Sequence, residues 1–208
     1  MKKLLSLIVA VCCVALMLCI PVSADAANEI LFEVDAFNDT ITVDITTEFS
    51  CGAVQGMLSY DGSEIAYQES AFAEGLTSIN SVANSFSDNS GTTKVALVCA
   101  ASGGVNGNLA TITYTADEGV PAVFNFGSMK VFNASGTKLN NVNAVMVMYG
   151  DIDDNHILNI LDLVRLKKTF AGRTSVTSSI ARNYNVDKSA SATPDADDIS
   201  ALIIKLIR

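Results

Sequence analysis

The twelve residues Asp151–Asp162, DIDDNHILNILD, constrain this chain more than any other stretch. Asp151, Asp153 and Asn155 stand at alternate positions, so a tightly curled loop turns all three side-chain oxygens inward. Asn159 follows at the ninth position and Asp162 at the twelfth, while Ile157 at the seventh offers a backbone carbonyl. Hard oxygen donors in this number suit calcium rather than zinc or copper. An acidic surface turn can carry the same letters, so the flanking sequence has to decide.

After Asp162 the chain reads LVRLKKTF, with Leu163, Leu166 and Phe170 at i, i+3 and i+7. That stripe predicts a helix of about two turns, and Gly172 supplies its stop. A second copy spans Asn183–Asp198: Asn183, Asn185 and Asp187 repeat the alternating oxygens, and Asp195 and Asp198 close the loop. ISALIIKLI then predicts a second helix, with Ile199, Leu202, Ile203 and Leu206 on one stripe. Two calcium sites are expected, each a loop followed by a helix. The second loop is sixteen residues long, with SASATP inserted near its middle. His156 occupies the sixth position of the first loop, where an unusual backbone conformation is needed, and Pro194 removes an N–H from the second.

The N-terminus has the grammar of a secretory signal. Lys2 and Lys3 precede an apolar run that ends at Pro21 and the small residues VSADAA. Removing residues 1–26 leaves an exported chain without a membrane segment, and an uncleaved anchor is the alternative. Two cysteines then remain, Cys51 and Cys99, which can form one disulfide or stay as buried thiols. The only histidine is His156, so no zinc site can be assembled.

Charge divides the chain. Residues 27–150 hold thirteen Asp/Glu against three Lys/Arg, a net of −10, whereas residues 151–208 hold eight of each. Without a basic patch, nucleic acid is not a partner this composition supports. Residues 27–149 read as β throughout. Candidate strands lie at 30–37, 40–49, 53–60, 64–68, 94–100, 109–116, 122–127, 129–134 and 142–149, many separated by Gly- or Asn-containing turns. These suffice for two packed antiparallel sheets. The Ser- and Asn-rich stretch 69–93 is expected to hold a short helix or excursion.

Taken together, both loops, both helices and the preceding Gly150 make residues 150–208 resemble a dockerin, the calcium-dependent plug that docks cellulosomal proteins onto cohesins. Within the β region, VQGMLSYDGSEIAY, NLATITYTA and VFNASGTKL resemble the cohesin pattern. The resemblance implies a mainly β protein with a small α part: signal peptide 1–26, cohesin-like β-sandwich (jelly roll) 27–149, dockerin 150–208. It implies a non-catalytic secreted adaptor. The dockerin would bind the cohesin of a scaffoldin, and the sandwich would accept a dockerin-bearing protein or, alternatively, a polysaccharide. Dockerin recognition positions fall on Ile160, Leu161, Lys167 and Lys168 in the first repeat, and on Ala196, Asp197, Ile203 and Ile204 in the second.

Chemistry in the sandwich is limited. It contains no histidine, so no Ser-His-Asp or Cys-His constellation is available. Sugar platforms rely on exposed aromatic faces, yet the chain has no Trp. Phe124 and Phe126 are the candidates if a platform exists.

Overall fold

The computed structural model describes residues 28–73, 76, 82–87, 93–189 and 193–208, with side chains at 82–87 and 93–102 outside the description. The signal segment expected at 1–26 lies outside the described residues. Among the described residues eight strands come first: β1 (Asn28–Phe37), β2 (Thr40–Tyr60), β3 (Ile65–Phe72), β4 (Val82–Ser87), β5 (Thr93–Ala116), β6 (Asn125–Phe132), β7 (Lys138–Leu139) and β8 (Val142–Val147). Helix α1 (Ile160–Phe170), a 3-10 helix (Ser178–Tyr184) and α2 (Ala196–Leu206) follow. The chain is mainly β with few helices.

Alternation explains the strands. Along β1, Ile30, Phe32 and Val34 are buried in the core; along β2, Ile41, Val43 and Ile45 are. The two pair antiparallel from Phe37↔Thr40 to Ile30↔Thr47. β2 and β5 are longer than any strand expected from sequence, because each fuses two predicted strands. Their pairing slips between Ile45 and Thr46 and on both sides of Cys51, and such bulges bend a strand. The N-terminal half of β2 therefore joins β1, β8, β3 and the second half of β5. Its C-terminal half pairs instead with β6 and the first half of β5, onto which β4 and β7 add. Two layers result. Phe32 of β1 and Phe126 of β6 meet across them with ring centroids 4.0 Å apart.

Three expectations are corrected. One strand, β6 (Asn125–Phe132), stands where two were expected at 122–127 and 129–134. The 69–93 stretch contains β4, whose polar VANSFS letters hide a strand held by pairing with β5. The aromatic platform fails as well. Phe124 is buried between Tyr60 and Tyr114, and Phe126 packs so closely over Gly56 that a Cβ there would lie 2.2 Å from its ring. Phe124 belongs to the core cluster and Phe126 is partly buried against it, so neither presents an open aromatic face. Cys51 is a buried free thiol, its pKa pushed up by desolvation. The backbone of Cys99 pairs with that of Val54, and its side chain lies outside the description.

A separate cluster of Ile152, Leu163, Leu166, Tyr184, Val186 and Leu202 forms the core of the C-terminal region. Leu158 packs against both cores. Leu163, Leu166 and Leu202 hold the stripe positions expected of them. Phe170 does not: the cluster stops short of the last turn of α1, leaving Phe170 in solvent. Ile203 is likewise exposed. Gly150 joins the two regions at φ +101°, where a Cβ would lie 2.8 Å from Leu202 and 2.9 Å from Leu158. Only glycine meets both demands.

Candidate metal loops and the helices they cap

The first loop is built by carboxylates that hold their own backbone. Asp151 and Asp162 are both 0% exposed. Asp151 accepts the N–H groups of Asn155 (3.1 Å) and His156 (3.0 Å), one on each oxygen. Asp162 accepts from Ile152 (2.8 Å) and Asp153 (3.3 Å) on one oxygen and from Asn159 (2.9 Å) on the other. Asn159 caps α1 in return, its Oδ1 taking the Leu161 N–H at 2.7 Å, so loop and helix share one capping box. Asn155 accepts from Ile157 at 2.9 Å, and Asn159 Nδ2 donates to the Ile157 carbonyl at 3.2 Å. His156 adopts φ +60° and Asp154 φ +59°, left-handed conformations that curl the chain at a cost of roughly 1–3 kcal/mol each.

This curl brings carboxylate oxygens of Asp151, Asp153 and Asp162 within 4.8 Å of one another. The Asp153 side chain is only 9% exposed, and its buried Oδ1 has no hydrogen-bond partner. Its other oxygen faces Arg165 Nε at 3.6 Å. A buried carboxylate oxygen without a donor costs free energy unless a cation takes it. Burial pushes the pKa values of Asp151 and Asp162 upward against the pull of their N–H donors. The donor set is all oxygen, anionic and partly orphaned, and it fits a calcium-like cation.

The second loop repeats the design two residues later than its spacing suggests. Val186 is buried as Ile152 is. Asp187 N–H donates to Asp198 at 3.3 Å, as Asp153 N–H donates to Asp162. Lys188 has φ +57°, matching Asp154. Asp195 caps α2 through Asp197 N–H (2.8 Å) and Asp198 N–H (3.3 Å), as Asn159 caps α1. Asn185 thus corresponds to Asp151 and Asp187 to Asp153, and the loop runs Asn185–Asp198, fourteen residues instead of sixteen. Asn185 Oδ1 is a second buried acceptor without a donor. Residues 190–192 in the middle of the loop lie outside the described residues.

Asn183, expected among the ligands, stands outside the loop. Its Oδ1 takes the Met148 N–H at 3.2 Å, its Nδ2 donates to the Asp151 carbonyl at 2.9 Å, and its own carbonyl holds Gly150 N–H at 2.8 Å. It fastens the junction. Asp197, expected as a recognition position rather than a ligand, joins Asp187 and Asp195 in a carboxylate group within 4.8 Å. An acidic residue two places after an acidic N-cap was the available clue.

The expected recognition residues lie on α1. Ile160 and Leu161 are 61% and 58% exposed, and Lys167 and Lys168 are exposed a few residues on. All exposed large hydrophobics among the described residues, except Phe37 and Val123, lie on α1, on α2 or just past its end.

No family model and no curated protein matches the chain. Solved structures do. A type II cohesin domain from the cellulosome of Acetivibrio cellulolyticus matches at 11% identity and TM-score 0.46, over 57% of this chain and 92% of that one. The third cohesin ScaC of the same organism, solved in complex with the ScaB dockerin, matches at 10% identity and TM-score 0.45, over 56% and 93%. A non-cellulosomal cohesin from the archaeon Archaeoglobus fulgidus matches at 16% identity and TM-score 0.39, over 63% and 97%.

Proposed function

We propose that this chain is a secreted, non-catalytic adaptor of a cellulosome-type assembly. Its residues 150–208 act as a calcium-dependent dockerin that binds the cohesin of a scaffoldin, and its β-sandwich receives a dockerin-bearing protein. The observation that carries this reading is the Asp151–Asp153–Asp162 group with its buried unpartnered oxygen, in the loop that runs into the exposed Ile160 and Leu161 at the start of α1. Asp151, Asp153, Asn155, Ile157, Asn159 and Asp162 would hold the first cation; Asn185, Asp187, Asp195 and Asp198 would hold the second. Bound calcium supplies charge neutralisation in the loops, and the residues themselves orient the two helix starts. Polysaccharide binding by the sandwich has lost its candidate aromatics, since Phe124 and Phe126 turn inward.

Calorimetry of the signal-free chain with calcium tests the reading, followed by capture on immobilised cohesins with and without chelator. Calcium uptake and chelator-sensitive capture are expected. Absence of calcium uptake would overturn the dockerin assignment, and retention on cellulose, xylan or pectin would move the sandwich to the sugar-binding class.

A further inference from the structure

The outer face of β1 is acidic by alternation. Glu29, Glu33 and Asp35 point away from the core that Ile30, Phe32 and Val34 enter. Each carboxylate is paired with a cation from the C-terminal region: Arg182 bonds Glu29, Lys188 bonds Glu33, and Lys205 Nζ lies 3.1 Å from Asp35. Between them, Leu31 and Val147 are buried although they belong to neither core cluster. Lys188 also sits 4.7 Å over the ring of Tyr149, and Lys205 donates to the Tyr149 carbonyl at 3.3 Å. The C-terminal region is seated on the sandwich, and part of the seat is made by the oxygen loops. Lys188 lies inside the second loop, next to Asp187. In the first loop, the His156 carbonyl accepts Ala122 N–H at 2.9 Å.

We propose that cation binding in the two loops and seating of residues 150–208 on β1 are one linked equilibrium, so that calcium locks both modules of this chain into a single rigid body. This rests on the dockerin reading of the loops. Two physical effects drive the linkage. The loop backbone that a cation orders is the backbone that carries Lys188 and His156 to the sandwich, so ordering one orders the other. Charge works in the same direction. Residues 151–208 are net neutral and residues 27–150 carry −10, so the empty module brings neutral charge and a cluster of anions to an acidic face. Each bound Ca²⁺ makes the incoming module more positive and strengthens attraction across the seat. Linkage is reciprocal: whatever factor calcium adds to seating, seating adds to calcium affinity. In the seated form Ile160 and Leu161 remain exposed, so the lock leaves the proposed cohesin-binding helix free.

The test uses four residues that lie in neither loop. Glu29→Lys with Asp35→Lys breaks two of the three pairs; adding Arg182→Glu and Lys205→Glu re-pairs them in reverse and restores the net charge. Small-angle scattering and calcium calorimetry are run on the full signal-free chain. Wild type should be compact with calcium and expand when calcium is removed. The double variant should stay expanded in calcium and bind it at least about fivefold more weakly, the lower end of common couplings. The fourfold variant should recover both properties. An expanded double variant with calcium affinity within twofold of wild type would overturn the linkage while leaving the calcium loops intact. A wild type that binds calcium yet keeps the same radius without it would do the same. A wild type that takes up no calcium would remove the loop reading itself.

Discussion

Asp162 accepts the backbone N–H of Ile152 at 2.8 Å, so the twelfth residue of the first loop closes on the second. Asp153, the third acid of the group, has one oxygen with no such duty. The two should therefore fail differently. Asp162→Ala strands the N–H groups of Ile152 and Asn159 and should destabilise the C-terminal region by roughly 1–3 kcal/mol even without metal. Asp153→Asn should leave the calcium-free protein as stable as wild type, or more so, because it removes a repelling buried charge. Both should lose calcium binding at the first site. Thermal melting with and without calcium separates the two behaviours.

The pH dependence should reverse sign with metal. Burial raises the Asp151, Asp162 and Asp198 pKa values above the ordinary 3.8. Without calcium, the folded state holds protons that the unfolded chain releases. The stability this gives is fully present below the ordinary carboxylate value and is lost as pH rises through the raised values. Calcium requires the ionised groups, so its affinity should rise through the same window. Melting curves of calcium-stripped and calcium-loaded protein, compared from about pH 4 to about pH 7, should move in opposite directions.

Recognition through the first repeat predicts an asymmetric mutational pattern. Ile160→Ala with Leu161→Ala removes exposed side chains and should change folding stability by no more than about 0.5 kcal/mol. Its effect on cohesin affinity should be at least ~2 kcal/mol, the scale of an anchor lost from an interface centre. Substitution at Ala196 and Asp197 should matter little. Equal losses from both repeats, measured by titration against one cohesin, would show two binding orientations instead of one.

Phe124 serves packing rather than sugar binding. It fills the space beside Tyr60 and Tyr114, with centroids at 6.0 and 4.9 Å. Phe124→Ala should destabilise the sandwich by about 3–5 kcal/mol, visible as a lowered denaturation midpoint.

Much of the fold could be read from local pattern. Alternating Ile30, Phe32, Val34 and Ile41, Val43, Ile45 mark strands whose burial follows directly, and the DIDDNHILNILD spacing outlines the first loop. Other features depend on contacts distant in sequence. Ser50, Cys51 and Gly52 fall between two expected strands, but they are the bend at which one strand passes between layers. Four alternating polar residues, Asn183, Asn185, Asp187 and Ser189, allow two loop registers, and the Asp187 N–H bond to Asp198 with the left-handed Lys188 chooses between them. The pairs from Glu29, Glu33 and Asp35 to Arg182, Lys188 and Lys205 leave no periodic trace, because each spans more than a hundred residues.

The parallel pairing of β1 with β8 has a mechanical consequence. Asn28 lies beside Val142 and Glu33 beside Val147, so the first and last strands of the sandwich run side by side in the same direction. Tension pulling Asn28 one way and Val147 the other drags the two strands lengthwise past each other. Every hydrogen bond of the pair is then loaded at once, instead of opening one after another as in a zipper. A link in a chain of tethered proteins would meet drag in this direction, and its survival would depend on the rate of forced unfolding rather than on equilibrium stability.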